Sequence, residues 1–458
     1  MRRSHYLFIT ILMLVLSASC KEKEQIYDLE QIQEVGELRV ATLSTSTSYF
    51  IYREDTMGYD YDMARNFCDS IGVNLKITVA ENHEKMLKML YAGEVDLIAY
   101  PTMVMNELRD SMIFCGPEQI SHQVLVQRSN KGDTLLADQV ELIGKDVYTL
   151  KNSRYFQRLE NFNQELGGGI NIRYIDTDTI TTEDLIGMVS EGRIKYTVSD
   201  AILAKLNKTY YSNIDISLPM SFDQRSSWTV SVRTPKLAEA LNRWVEKYDK
   251  TPTYKAVTKK YFEISKQPLS AYYEIPKGLP KGAISPYDSL FQKHAEGTNY
   301  DWYLLAAVSY HESRFINNLT SWAGAAGVMG LMPRTAKSLG LESEDRMDPD
   351  KSIAAAVVLL DRLDHIFRKI EDKDERLKFI LAAYNGGDGH IRDAQRLASK
   401  YGASSHIWYD NVRTYVLLKS NPEYFNDPVC KNGYFRGIET TKYVDAVLST
   451  TRRFRAGK

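Results

Sequence analysis

Hydrophobic and polar positions change period several times along the first half of the chain. Short apolar runs of strand length at 37–42, 75–79 and 95–100 alternate with longer segments of helical spacing at 59–72 and 84–92. Strands that alternate with amphipathic helices indicate an α/β sheet with parallel strands. A second set follows, with strands at 146–150, 170–174 and 196–199, helices at 154–166 and 183–191, then a strand at 228–232 and a helix at 235–248. The pattern predicts two α/β lobes and a return to the first.

Helical spacing dominates after a proline-rich stretch at 267–286, which holds Pro268, Pro276, Pro280 and Pro286 and predicts a semi-rigid linker. Asp301 is a plausible N-cap for the apolar segment that ends at Glu312. A glycine-rich segment at 324–336 and the Ala-Tyr-Asn-Gly-Gly turn at 383–387 follow in that order.

Glu312 is the candidate catalytic group. A glutamate protonates a leaving glycosidic oxygen near neutral pH only if burial raises its pKa, and we expect the apolar residues before it and Phe315 after it to form that apolar wall. The motifs contain no HExxH zinc pattern, because Phe315 stands at the second histidine position, and no phosphate-binding lysine follows the glycines. We therefore expect no metal and no cofactor. Taken alone, such a glutamate is usually a solvated charge and such a glycine cluster an ordinary loop.

The order and spacing of the three motifs resemble the catalytic domain of soluble lytic transglycosylases, lysozyme-like enzymes that cut peptidoglycan. The resemblance implies a mainly α domain in which Glu312 acts first as acid and then as base, while the substrate's C6 hydroxyl attacks to give a 1,6-anhydromuramyl end. Glu439-Thr440 and Tyr443-Val444 resemble the closing motif of that family. The implied substrate-binding residues are Ser313, Met329, Gly330, Leu331, Met332, Tyr384 and Asn385. Gly330 departs from the family, which usually has a glutamine facing the groove.

Residues 37–266 resemble the periplasmic amino-acid-binding proteins, two-lobed α/β domains that close on a ligand. The resemblance is carried by residues 58–64, 92–98 and 113–117 and by Arg109. It implies that Arg109 clamps a ligand carboxylate, Asp200 pairs with its ammonium group and Phe50 packs on it. Without the resemblance, Arg109 is a surface cation and Asp200 a helix N-cap.

The first residues predict a lipid-anchored protein. Two arginines precede an apolar run too short to span a bilayer, and Ser17-Ala18-Ser19-Cys20 resembles a bacterial lipoprotein box. Residues 1–19 are the expected signal peptide and Cys20 the lipidated residue, anchored in the outer membrane and facing the periplasm. The other interpretation is an ordinary cleavage site with an incidental cysteine. Whether Cys68 and Cys115 form a disulfide stays open.

The length and net charge of the chain limit its number of domains and its classes of partner. A chain of 458 residues exceeds one ordinary core, and a net charge of -1 without a basic run gives no indication of nucleic-acid binding. We expect a signal peptide at 1–19, a lipidated tether at 20–36, a solute-binding domain at 37–266, a linker at 267–286 and a lysozyme-like domain at 287–458.

This arrangement resembles the membrane-bound lytic transglycosylase F family. It implies cleavage of the MurNAc-β-1,4-GlcNAc bond by Glu312 under the control of a domain that senses an amino acid or wall peptide. The alternatives are an inactive wall-binding or sensing lipoprotein, which Gly330 favours, a transport receptor, and a hydrolysing muramidase. The sequence leaves open the sensed ligand, exo- versus endo-cleavage, which membrane holds the anchor, and the oligomeric state.

Overall fold

The structure is a computed structural model that describes residues 27–151, 153–175, 180–267 and 279–457. The predicted signal peptide, Cys20 and most of the linker lie outside these ranges. Across these ranges no helix has both the length and the apolar character needed to cross a membrane.

Lobe one is built on a five-stranded sheet in the order β4-β1-β5-β12-β6. Its strands are β1 (Glu37–Leu43), β4 (Asn74–Ala80), β5 (Leu97–Met103), β6 (Met112–Ser121) and β12 (Gln224–Ser231). Its helices are α1 (Leu29–Val35), α2 (Tyr59–Ile71), α3 (His83–Tyr91), α7 (Pro235–Tyr248) and α8 (Pro252–Phe262). β1 is parallel to both β4 and β5, as predicted.

Lobe two is built on a second sheet in the order β11-β7-β10-β8-β9. Its strands are β7 (Gln123–Arg128), β8 (Asp146–Leu150), β9 (Asn171–Ile175), β10 (Tyr196–Asp200) and β11 (Ile214–Asp215), with helices α4 (Arg154–Glu165), α5 (Thr182–Ser190) and α6 (Ala201–Lys208). The predicted parallel pairs are present, with β8 parallel to both β9 and β10, but the sheets are mixed. β12 is antiparallel to β5 and β6, and β7 is antiparallel to β10. The reason is that β6 runs through His122 into β7, while β12 brings the chain back in the opposite direction.

A small hairpin that the sequence analysis did not predict lies outside both sheets. It pairs β2 (Phe50–Tyr52) with β3 (Asp55–Met57) through the two-residue turn Arg53-Glu54. Both turn residues have positive φ, 46° and 71°, which matches the primed turns that suit tight hairpins.

The C-terminal part is helical and has its own hydrophobic core. Its helices are α9 (Asp288–Ala295), α10 (Trp302–Ser313), α11 (Pro333–Ser338), α12 (Pro349–Ile366), α13 (Lys373–Gly386), α14 (Asp388–Lys400), α15 (Arg413–Leu418), α16 (Pro422–Phe425) and α17 (Gly437–Arg455). Asp301 caps α10 by accepting a hydrogen bond from the Leu304 amide, which confirms the predicted helix start. α10 is apolar around most of its circumference because it runs through the core.

Candidate active site

Glu312 lies on the last turn of α10, where the chain changes direction abruptly. Arg314 and Phe315 both have left-handed backbone conformations, with φ of 54° and 63°, which end the helix immediately after Ser313. Such conformations are rare for non-glycine residues, and at a candidate site they are held by surrounding contacts. Phe315 is buried and packs near Phe291, so it anchors the turn in the core.

The glycine-rich segment is held against the end of α10. The Ser313 hydroxyl donates a hydrogen bond to the Val328 carbonyl at 2.8 Å, and the Tyr384 hydroxyl donates to the Met329 carbonyl at 2.7 Å. Ser313 and Met329 are both buried. In this structure they hold the segment against the end of α10, and their expected contact with substrate stays a prediction.

Gly330 has no room for a side chain. Its φ is 61°, and a Cβ atom there would lie 2.3 Å from Glu312 Oε2. The glutamine that the resemblance leads one to expect therefore cannot occupy this arrangement. Leu331, Met332 and Tyr384 line a small adjoining cavity, and Asn385 is fixed by a hydrogen bond from the Thr440 hydroxyl to its Oδ1 at 2.7 Å.

Glu312 has the environment of a proton donor. Its side chain is only 7% exposed, and burial raises its pKa above the ordinary value, against the opposing effects of Arg53 and the Tyr443 hydroxyl. The prediction of a raised pKa through burial agrees with this, but the wall is different. The Glu312 carboxylate is surrounded by Gly330, Tyr443 and Arg53 of the first lobe. Phe315 instead lies in the hydrophobic core.

A cavity of about 460 Å³ opens beside Glu312 and is lined by residues of both halves of the chain. Phe50, Tyr52 and Tyr210 line it from the first half, Trp322 and Tyr443 from the second. Glu439 also lines this cavity, but its carboxylate accepts a hydrogen bond from Arg436 Nε at 2.8 Å. A second carboxylate is thus present near the groove, already paired with a cation.

The guanidinium of Arg53 enters this site from the hairpin of lobe one. Its Nη2 lies 3.1 Å from Glu312 Oε1, its Nη1 donates to the Gly330 carbonyl at 3.0 Å, and its Nε donates to the Asn385 carbonyl at 2.7 Å. Arg53 is only 8% exposed. Burial would lower its pKa, but the attraction of Glu312 outweighs this and leaves the pKa above its usual value.

Further contacts dock the hairpin and its surroundings. His390 Nε2 contacts the Ile51 carbonyl at 2.9 Å, and Arg334 donates to the Glu54 carbonyl at 2.9 Å. Gly387 lies directly under the turn: a Cβ atom there would be 3.4 Å from the Arg53 Cα atom. The tip of the hairpin therefore fills part of the groove between Glu312 and the Tyr384-Asn385 turn.

Lobe two is held by an arginine of the helical half. Arg436, just before α17, is paired with Glu183 of α5, donates to Asn207 Oδ1 at 2.9 Å and lies 4.0 Å from the centre of the Tyr210 ring. Glu183 also accepts a hydrogen bond from the Ser46 hydroxyl of lobe one at 2.6 Å. Glu183 thus joins both lobes to the helical half.

The predicted ligand residues of the first half lie on three different elements. Asp200 caps α6 by accepting from the Ile202 amide at 2.9 Å, and it accepts from the Ser121 hydroxyl. This matches the N-cap alternative, and its ligand role stays a prediction. Arg109 is exposed after a short 3-10 turn, and Phe50 lies in the cavity beside Glu312. Cys68 and Cys115 are buried free thiols.

Comparison with known proteins covers nearly the whole chain. The family model for the transglycosylase SLT domain matches residues 289–407, and that for bacterial extracellular solute-binding proteins, family 3, matches 38–264. A membrane-bound lytic murein transglycosylase F of Desulfosudis oleivorans is 30% identical over 93% of this chain and 92% of its own length. The chain belongs to the membrane-bound lytic murein transglycosylase F family. The family and enzyme class predicted from the motifs are thereby confirmed.

The chain is also similar to a second protein of that name and to a solved structure. A membrane-bound lytic murein transglycosylase F of Pseudomonas fluorescens is 30% identical over 97% of this chain and 89% of its own length. Among solved structures, the unliganded, open L-cystine solute receptor of Neisseria gonorrhoeae matches 52% of this chain and 97% of its own, with 17% identity and a TM-score of 0.43.

Three residues of the site were missed by the sequence analysis: Arg53, Glu183 and Arg436. Each is an ordinary charged residue outside the motifs. The hairpin turn that carries Arg53 has neither glycine nor asparagine, the residues that usually mark a two-residue turn. The pattern at 50–57 therefore gave no local signal of a hairpin.

Proposed function

We propose that this protein is a peptidoglycan lytic transglycosylase that cleaves the MurNAc-β-1,4-GlcNAc bond, with Glu312 as its single acid and base. The observation that carries the proposal is the buried Glu312 carboxyl with its raised pKa, at the point where the three motifs meet. The pairing of Glu439 with Arg436 supports a one-carboxylate mechanism, because a paired carboxylate is a poor nucleophile or base.

In the proposed reaction, the Glu312 proton goes to the glycosidic oxygen as the C1–O bond breaks, and positive charge develops on the sugar ring. The C6 hydroxyl of the same muramyl residue then bonds to C1 and returns its proton to the Glu312 carboxylate. The products are a 1,6-anhydromuramyl end and a free 4-hydroxyl, and no water is consumed. Desolvation of Glu312 favours the protonated form that the first step needs.

We further propose that the arrangement with Arg53 in the groove is an inhibited one. Arg53 occupies space that a sugar would need, and its charge favours the ionised form of Glu312, which cannot donate a proton. The helical half is tied to lobe one through Arg53 and to lobe two through Glu183. A ligand that changes the angle between the lobes therefore cannot preserve both contacts, and hinge motion is the ordinary response of such domains.

The test of the reaction is Glu312→Gln in an Arg53→Ala background, where the inhibitory contact is absent. We expect muropeptide release to fall by about 10²–10⁴-fold, as for loss of a general acid. Exposed Glu344→Gln is the matched control. Mass spectrometry of the products separates anhydromuramyl ends from the reducing ends of a hydrolysing muramidase. Absence of release in the Arg53→Ala protein would favour the inactive wall-binding alternative.

The same proposal includes a lipid anchor at Cys20 in the outer membrane, in keeping with the membrane-bound name of the relatives. Metabolic labelling with a fatty acid should mark the wild-type protein and not Cys20→Ala. Equal labelling of both, or of neither, would contradict the anchor.

A further inference from the structure

We propose that the groove floor beside Glu312 is a binding site for planar cations of the guanidinium and amidinium class, filled here by Arg53. The proposal shares its site with the proposed reaction but goes beyond it, because it predicts that a free cation binds once the Arg53 side chain is removed. Once the Arg53 side chain is removed, any free molecule with a guanidinium or amidinium group could bind at the position that the Arg53 guanidinium occupied.

Three acceptor groups of the described residues bind the Arg53 guanidinium. Glu312 supplies a carboxylate to two guanidinium nitrogens, Nη1 and Nη2, and the carbonyls of Gly330 and Asn385 accept from Nη1 and Nε. All three guanidinium nitrogens are thus hydrogen-bonded to groups from three separate segments of the helical half. A planar fork of N–H donors suits such an arrangement, whereas a compact ammonium can reach fewer of these acceptors at once.

The acceptors are fixed independently of the cation. The glycine-rich segment is pinned by Ser313 and Tyr384, and Asn385 is held by Thr440. Gly330 keeps the floor open, since any side chain there would collide with Glu312. We expect this pocket to keep its shape when the Arg53 side chain is removed. The negative charge of the Glu312 carboxylate is then no longer balanced by the Arg53 guanidinium.

The experiment uses the full chain with Arg53→Ala and guanidinium chloride at millimolar, non-denaturing concentrations. Guanidinium should raise the melting temperature of this variant in a saturable manner and should suppress its muropeptide release over the same concentration range. Urea, which is planar but neutral, and sodium chloride at equal ionic strength are the controls. The wild-type protein, whose site is filled, should show neither effect.

Additional variants keep the result decisive. Arg53→Asn, which tolerates the left-handed backbone, replaces Arg53→Ala if the latter does not fold. Adding Glu312→Gln should weaken guanidinium binding by about tenfold or more, because a charge-assisted pair is lost. Equal effects in wild type, equal effects of urea or salt, or no saturable shift would overturn the proposal. A melting shift without any muropeptide release would uphold the site and overturn the proposed reaction instead.

Discussion

Arg53 Nη2 lies 3.1 Å from Glu312 Oε1, although the two residues are 259 positions apart and belong to different halves of the chain. The contact joins the tip of a hairpin in the binding lobes to the candidate acid of the lytic domain. In the proposed inhibited arrangement, this contact blocks the groove and also favours the ionised form of Glu312. If this proposal holds, movement of one short hairpin would change both the access to the groove and the protonation of Glu312.

Removing the Arg53 side chain should activate the enzyme. Arg53→Ala takes the cation from the groove, so we expect faster muropeptide release from purified peptidoglycan. Coupling between sites is typically worth ~1–3 kcal/mol, which corresponds to about 5- to 150-fold. Arg65→Ala, an exposed arginine of the same lobe, is the control and should leave the rate unchanged. A slower Arg53→Ala enzyme would show that Arg53 assists the reaction.

The ion pair between Glu183 and Arg436 should hold lobe two to the helical half more strongly than the nearby surface pair between Glu191 and Lys442. Glu183→Gln removes the carboxylate that links Arg436 to lobe two and leaves Arg436 paired with Glu439 alone. Loss of one member of a largely buried ion pair is destabilising. We expect lobe two to separate from the helical half, seen as faster amide exchange in α5 and α17. Glu191→Gln, which removes the exposed pair with Lys442, should have little effect. Equal exchange in the two variants would contradict a coupling role for Glu183.

Gly330→Ala should inactivate the enzyme by displacing Glu312. The added Cβ would lie 2.3 Å from Glu312 Oε2 and would also narrow the site of Arg53. The variant should fold, but its muropeptide release should remain low even when combined with Arg53→Ala. Gly340→Ala is a matched control, because Gly340 also has positive φ, 82°, but has open space around its Cβ position. Similar losses in both variants would mean that backbone strain, not the contact, is responsible.

Docking of the hairpin should weaken as the pH rises. Burial, then the negative charge of Asp388, raises the pKa of Glu54 above its ordinary value in the docked state. Stability from this raised pKa is fully present below the ordinary glutamate value and is lost as the pH rises through the docked value. Asp388→Asn should therefore slow amide exchange of the hairpin at neutral pH and have little effect under acid conditions. An effect of equal size at both pH values would contradict a role for the repulsion between Asp388 and Glu54.

The ligand role of Arg109 predicts a thermal signature. A ligand at about 100 times its dissociation constant stabilises a fold by ~2.7 kcal/mol, so an amino acid or wall peptide that binds lobe one should raise the melting temperature. Arg109→Ala should abolish that shift, and Arg233→Ala, another exposed arginine of the same half, should retain it. A ligand that shifts both variants equally would bind elsewhere.

Alternating hydrophobic periods in the first half predicted most of the α/β elements to within a few residues, because burial on one face dictates the pattern. The period of a strand does not reveal the direction of its neighbour, so β12 was predicted as a strand but its antiparallel direction was not. The hairpin at 50–57 was missed because its strands are three residues long and its turn lacks the usual residue types.

The sequence by itself determined the family, the motif order and Glu312 as the candidate acid, because these are carried by contiguous residues whose chemistry depends on local spacing. Only the tertiary structure decided what surrounds Glu312. Arg53, Gly330 and Tyr443 come from three distant segments, and Arg436 and Glu183 meet across two lobes. Contacts of this kind depend on how domains pack against each other, and packing between distant segments leaves no periodic signal along the chain.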